Sequence, residues 1–452
     1  MKRLALLLTI LATGASVWAA DDVEVKNSGE FRARYTNYFN AESSAGEISG
    51  TDARLKWNIS ARKGEKLQVF VSLIHDSIFG TGATSNGKFV ASSSNNLLVV
   101  NRAWGWWKAT DAVSLKVGRF GIQIADGAFF DENDWDPYPT SFEGANIAWD
   151  MDWAKLNFYA VQSNFYTSAG FNGVAAPAFA ENNSNAQRNL YILSGDIKNL
   201  PEMIKTANLH VVQISKDATV NAGGTGNTGV VGGTDPVRGA QNFQHVGLAL
   251  GGEVVGLTYK LDGAFQSGTF NNVTGGTQTN ISANMVDVSL GYHMAETMGL
   301  KITANFHTDT GANGTSSAAY QPLYYDGHSY AGLMDVVRWG NLTYYDLTAS
   351  MMAMEDLEVG LGYYMFNRTN TGDTATSPFA NGRYAGSLGT TGYSNDSAIG
   401  SEADVWAAKT YDSGVKIGLR YGAFMPTDFM KNGTIARSTT IQEVMLQGSM
   451  AF

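Results

Sequence analysis

The sequence predicts an antiparallel transmembrane β-barrel of about eighteen strands, with about sixteen as the competing count. Three observations carry this. Apolar and polar residues alternate with period two from end to end. Short connections alternate with long polar ones. The final strand ends on an aromatic residue, Phe452, in phase with the apolar positions Val444, Leu446 and Met450.

Met1 to Ala19 reads as a cleaved secretory signal. Lys2 and Arg3 precede the mostly apolar run 4–17, and Val17-Trp18-Ala19 places small residues at −3 and −1 of a cleavage site. Residues 20–452 then form a single barrel domain. Removing Lys2 and Arg3 makes an already acidic chain, −10 overall, more acidic still, so no basic nucleic-acid footprint exists. The chain has no Cys, which excludes disulfide frameworks, thiolate metal sites and Cys nucleophiles. With 12% aromatic and 16% charged residues it does not have the composition of a disordered chain. Beyond the signal, no apolar stretch is long enough for a membrane helix.

The alternation is plainest at 51–63. Ala53, Leu55, Trp57, Ile59 and Ala61 fall on one face, and Asp52, Arg54, Lys56, Asn58, Ser60 and Arg62 on the other. A helix, with its 3.6-residue period, would mix the two sets. The same division returns at 300–309 and 415–423. Strand centres fall near residues 35, 57, 71, 103, 118, 147, 160, 193, 210, 248, 260, 288, 304, 346, 363, 404, 419 and 446. Short turns are expected at 63–66, 109–112, 151–154, 198–203, 251–253, 295–299, 353–356 and 409–413. Long loops are expected near 41–50, 79–95, 127–140, 168–187, 217–241, 269–280, 310–338, 370–397 and 427–437. Short turns on the periplasmic rim and long loops outside are the pattern of bacterial outer-membrane barrels. A soluble sandwich or propeller fits less well, because no repeat of fixed period is present. A barrel this wide cannot be filled by its wall side chains, so the ionic face belongs inside and the apolar face against lipid. Trp57, Trp104, Trp106, Trp107, Trp149, Trp153, Tyr292, Trp339, Tyr363, Trp406 and Tyr421 are expected as interfacial girdles.

The expected pore wall carries cations at Arg32, Arg34, Arg54, Lys56, Arg62, Arg119, Lys301, Arg368, Lys416 and Arg420. Acids at Glu402 and Asp404, with Glu30, Asp52, Asp262 and Asp309, share that face. Cations facing a narrow aqueous pore would concentrate anions; pairing with those acids would instead brace the barrel. The densest acidic segment holds Asp131, Glu132, Asp134 and Asp136. Three readings are open for it: a solvated loop, a Ca²⁺ ligand set, or a constriction loop whose acids favour cations. The six His are scattered without H-E-x-x-H spacing, and no G-x-S-x-G elbow occurs. No metal, cofactor or catalytic centre is expected, although a Ser/His site split between strands would leave no local motif. The function expected is passive diffusion of small polar or charged solutes. The alternatives are a channel selective for anionic saccharides or organic acids, and a structural barrel with adhesive outer loops.

Leu115-Lys116-Val117-Gly118-Arg119-Phe120, then Ala125-Asp126-Gly127, then Ser141-Phe142-Glu143-Gly144, resembles the core block of the alginate-export family of outer-membrane porins. Tyr320–Tyr325, Gly332-Leu333-Met334-Asp335, Asn341-Leu342, 400–404 and 421–429 resemble its later segments. The resemblance covers roughly 100–150 and 320–452. It implies a monomeric eighteen-stranded channel in the outer membrane, with Arg119 carried over from the V-G-R motif. A terminal Phe after alternating apolar residues looks like the signal read by the barrel assembly machinery, which makes Phe452 the assembly residue and that machinery a partner alongside lipid.

Overall fold

The structure, a computed structural model, describes residues 23–40, 48–79, 97–136, 139–163, 188–216, 241–271, 278–313, 317–373, 396–427 and 439–452. The expected signal peptide lies outside the described residues, as do most of the loops near 79–95, 168–187, 217–241 and 370–397.

Among the described residues nineteen strands form one sheet: β1 (Val23–Phe39), β2 (Ile48–Lys63), β3 (Leu67–Phe79), β4 (Leu97–Lys108), β5 (Val113–Phe120), β6 (Phe142–Asp150), β7 (Ala154–Ser163), β8 (Arg188–Ile197), β9 (Ile204–Lys216), β10 (Gln241–Val254), β11 (Leu257–Asn271), β12 (Gln278–Met294), β13 (Leu300–Asp309), β14 (Ser317–Ala318), β15 (Leu342–Met354), β16 (Leu357–Arg368), β17 (Ala398–Thr410), β18 (Val415–Pro426) and β19 (Ile441–Ala451). Eighteen of them pair antiparallel with their neighbours, and β19 returns to β1, from Glu30↔Ala451 to Phe39↔Gln442. The two-residue β14 is extra. It adds parallel to β12 at Asn280↔Ser317 and belongs to the long segment between β13 and β15.

Each expected strand centre falls within one of the eighteen barrel strands. Their lengths run from 8 residues in β5 to 17 in β1 and β12. One turn moves. Gly251, Gly252 and Glu253 continue β10, and the reversal is made by Val255 and Gly256, both with positive φ (49° and 78°). A β-branched residue is a poor signal for such a two-residue turn, so the glycine pair upstream drew the expectation.

Side-chain parity follows the alternation. On β2, Leu55 is 41% exposed on the lipid side while Arg54 is fully buried inside. Leu209, Leu347, Leu361 and Leu419 face outward in the same way. The outward Trp107, Trp149, Trp153, Tyr259, Tyr292 and Tyr411 lie by the short turns, where an amphipathic ring suits the lipid–water boundary. Trp104, Trp106 and Trp406 differ from the expected girdle, because their parity points inward. Trp339 lies in the β14–β15 connection and is buried inside the barrel. The wall is also less uniformly ionic than expected. Toward the loop end, the inward positions of several strands are apolar, including Phe142, Ile192, Val212, Ile214, Phe243, Met285, Phe366 and Phe424. The connections β5–β6 and β13–β15 fold inward and pack on them.

The barrel closes at Gly29. Its N–H donates to the Phe452 carbonyl at 2.7 Å, and the Phe452 N–H donates back at 3.0 Å. A Cβ on Gly29 would lie 2.4 Å from the Phe452 ring and 2.6 Å from the Lys56 carbonyl. We predict that Gly29→Val destabilises the seam by about 1–3 kcal/mol, lowering the temperature at which the barrel loses its compact mobility on a gel. An unchanged transition would remove Phe452 from the closure.

Candidate functional site

The inward fold of the β5–β6 connection begins in the strands. Gly118 and Gly144 sit opposite each other in the ladder. Both have positive φ, 128° and 155°, and a Cβ would strike the Ala103 carbonyl at 2.3 Å or the Ala160 carbonyl at 2.2 Å. Only glycine tolerates this combination. It accounts physically for the spacing of the V-G-R and F-E-G segments. Beyond the end of β5, Ile122, Ile124, Phe129 and Phe130 bury themselves with Phe142, Leu190, Ile192 and Phe243, each fully buried side chain contributing about 1.5–3 kcal/mol.

The second segment, 310–341, docks beside the first by backbone pairing. Asp131 N donates to Tyr324 O (2.7 Å), Tyr324 N to Phe129 O (3.0 Å) and Asp326 N to Gly127 O (3.1 Å). Wall side chains hold it from behind. Gln266 grips the backbone of Gln321 at both ends, donating to its carbonyl at 2.7 Å and accepting from its N–H at 2.9 Å. Asp309 accepts from Gly340 N and Leu342 N, at 2.7 and 2.9 Å. Glu402 accepts from Met334 N at 2.9 Å, and Asp404 from Leu333 N at 3.4 Å. Wall carboxylates therefore serve as anchors for buried loop amides, which would otherwise lose their hydrogen bonds at a cost of about 1–3 kcal/mol each.

The basic wall of β1 and β2 meets residues 134–136. Arg32 donates to the Asp134 and Trp135 carbonyls, both at 2.9 Å, and Arg34 to the Trp135 carbonyl at 2.8 Å. Arg54 donates to the Asp134 and Asp136 carbonyls at 2.9 and 3.0 Å, and to the Asp134 carboxylate at 3.1 Å. Lys56 holds the other oxygen of that carboxylate at 2.9 Å. Arg34 also pairs with Asp52, and Arg54 with Glu30. The acids of this loop therefore form no free ring. Asp134 is shared by Arg54 and Lys56, Glu132 pairs with Arg102 at 2.7 Å, and Asp131 accepts from Asn133 N.

Trp135 ties the loops and wall together. Its ring stacks on His328 at 3.6 Å with 2° between planes, and the guanidinium carbons of Arg34 and Arg420 lie 4.5 and 5.4 Å from its centroid. Arg420 pairs with Glu443 and also donates to His328 Nε2 at 3.2 Å. A guanidinium only donates, so Nε2 accepts and the His328 proton resides on Nδ1, directed at Asp335 Oδ1 2.9 Å away. Elsewhere on the wall, Lys260 contacts Asp126 at 2.5 Å, Asp262 at 3.0 Å and the Tyr330 hydroxyl at 2.7 Å.

The remaining wall candidates are placed as follows. Lys301 and Lys416 have inward parity near the turn end and are exposed. Arg368 is buried under the loop, donating to the Thr371 carbonyl at 3.0 Å. Arg62 lies at the rim and donates to the Gly64 carbonyl. Arg119 departs from the expectation. It shares the parity of Val117, which is 50% exposed on the lipid side, and pairs with Glu143 on the neighbouring strand. Sequence reasoning did not single out Arg102, Trp135, Lys260 or His328. Parity marks Lys260, which alternates with Asp262; the other contacts depend on which loop enters the lumen. Among the described residues no group of His, Asp and Glu is arranged to hold a metal.

Burial pushes the Asp134 carboxyl up, but Arg54 and Lys56 outweigh it and the net direction is down. Burial pushes Asp131 up. A depressed Asp contributes stability above its ordinary value, 3.8, and the contribution disappears as pH falls through the lowered folded value. Docking of 134–136 on the wall is therefore predicted to loosen in acid, and Asp134→Asn should loosen it at neutral pH. Both should appear as increased open-channel current noise, whereas quiet traces at low pH would count against Asp134 as the fastening group.

The family profile described as alginate export matches residues 28–443. No curated protein matches the sequence significantly. Among solved structures, Pseudomonas aeruginosa OpdK with vanillate is similar at TM-score 0.58 and 11% identity, over 95% of this chain and 98% of that one. P. aeruginosa OccK8 (OprE) is similar at TM-score 0.56 and 14% identity, and OccK5 (OpdH) at 0.56 and 12%, both again over 95% and 98% of the two chains. At these identities the likeness concerns the fold: a closed eighteen-stranded outer-membrane barrel. With the profile spanning nearly the whole barrel, the chain belongs to the alginate export family and resides in the bacterial outer membrane.

Proposed function

We propose that the protein is a passive outer-membrane channel for small polar and charged solutes, its aperture set by the two inward-folded segments 121–141 and 310–341. The observation that carries this reading is the docking of 134–136 on Arg32, Arg34, Arg54 and Lys56 inside a closed barrel. A loop serving only attachment at the cell surface would gain nothing from burying its carbonyls against wall guanidiniums. Cations shared with Asp52, Glu30 and Asp134 beside the loop, and acids that outnumber Lys260 on another part of the wall, offer a charged solute groups of both signs at different azimuths. No catalytic step or cofactor enters this mechanism, and the gradient alone sets the direction. The chain works as a monomer after removal of residues 1–19, and Phe452 presents the last strand to the assembly machinery.

A second reading, selectivity for anionic saccharides or organic acids, draws on the same basic wall and on the family's description. The P. aeruginosa OpdK structure contains vanillate, an organic acid, which makes small carboxylates a natural first series. The test is single-channel conductance in planar bilayers under a salt gradient. We predict ohmic conduction, with Arg32→Gln and Lys56→Gln shifting the reversal potential toward cation preference. A folded barrel that fails to conduct would refute the channel. Saturable block by one carboxylate would favour the selective form over the general one.

A further inference from the structure

Three aromatic side chains line the turn-side half of the wall, and of these only Trp104 also packs against the buried cluster around Phe120 and the first inner segment. On β3 the inward positions include Ser72, Ile74 and Asp76, all buried, while Val69 is 57% exposed to lipid. Phe70 therefore faces inward. On β4 the outward Trp107 fixes Trp104 and Trp106 as inward, in line with Arg102, which holds Glu132 of the first loop. Phe70 and Trp104 are direct cross-strand partners and stack at 5.1 Å and 18°. Trp106 pairs across the ladder with Gln68 on one side and Lys116 on the other, and Lys116 with Asn146 beyond it. Lys116 Nζ lies 4.9 Å from the Trp104 centroid. All three rings are partly exposed.

This strip is anomalous for a wall bathed in water. A Trp side chain gains free energy when it leaves water, and the outward face of the same strands offers lipid. Here two indoles and a phenyl instead point into the lumen, with an amide on each side and an ammonium between. They begin one inward position, about 7 Å, beyond the Arg102–Glu132 pair, where a solute leaves the loop-lined segment. An apolar ring face bordered by donors and acceptors complements a solute with an apolar C–H face and a hydroxylated edge. We propose that Phe70, Trp104 and Trp106, with Lys116, Gln68 and Asn146, form a stacking subsite for a pyranose ring. The inference rests on the channel reading and adds a solute class and a location to it.

A neutral linear gluco-oligosaccharide, added at millimolar concentration to the turn side of single channels, tests it. The parent channel should show transient current interruptions. Trp104→Ala and Trp106→Ala should each shorten their residence time about tenfold, a loss of 1.4 kcal/mol. Trp104→Phe should restore most of it, and Lys116→Gln should change it little for this uncharged probe. Calorimetry of the same sugar with the folded barrel in detergent should show the same order of affinities, and it reads the subsite even if the channel fails to conduct. Absence of sugar binding in calorimetry overturns the subsite, as do residence times indifferent to Trp104. Interruptions by benzoate but not by sugar would also overturn it, assigning the strip to aromatic acids. A conducting channel that ignores sugar sinks this inference alone, whereas absent conductance with Trp104-dependent sugar binding sinks the channel reading alone.

Discussion

Everything in this molecule depends on pairing the backbone in a medium that cannot hydrogen-bond. Each N–H and C=O in the hydrocarbon must find a partner within the sheet, and a sheet with free edges leaves two rows unmet. Closing β19 on β1 removes both edges. The closure creates an interior too wide for wall side chains, and that vacancy is what the two long connections occupy. The inner segments follow from the same rule, because loop backbone carried into the barrel must also be satisfied. Gln266, Asp309, Glu402 and the Arg32–Arg54 set provide those partners.

Electrostatics here is therefore local rather than average. The net charge of −10 says little about the lumen, where cations and acids interleave on the same strands, Arg54 beside Asp52 on β2 and Lys260 beside Asp262 on β11. Many wall charges are engaged in holding backbone, so their burial is compensated by hydrogen bonds rather than by simple ion pairs. Trp135 couples the two kinds of contact, stacking on His328 from the second segment while lying near Arg34 and Arg420 of the wall.

The strand plan was legible because period two is imposed by two different solvents, and the centre of every barrel strand could be read from it. Parity likewise put Arg32, Arg34, Arg54, Lys56, Glu402 and Asp404 on the inner face, where the structure has them. Illegible were features decided by three-dimensional neighbours. Arg119 lies in a motif whose glycine lets the neighbouring strand approach closely, and motif membership carries no information about facing; its phase with Val117 does. The Val255-Gly256 turn hides behind a residue that usually avoids such φ. The inner docking of Phe129, Phe130 and Tyr324 looks, in sequence, like apolar residues scattered in loops. Only knowledge that a wide lumen has apolar inward positions at Ile192, Val212 and Phe243 gives them a destination.

The pairing of Phe129–Asp131 with 324–326 has a consequence for how such channels diversify. Because that junction uses main-chain groups, side chains on either segment can drift without breaking it. A change in the length or path of one segment, however, strands the backbone of the other. The two connections thus behave as one heritable module although some 190 residues separate them in the chain. Transplanting a new aperture from a relative would require both at once, together with the β11 and β17 positions that grip them. Exchange of one alone should yield a barrel whose interior is rearranged rather than retuned.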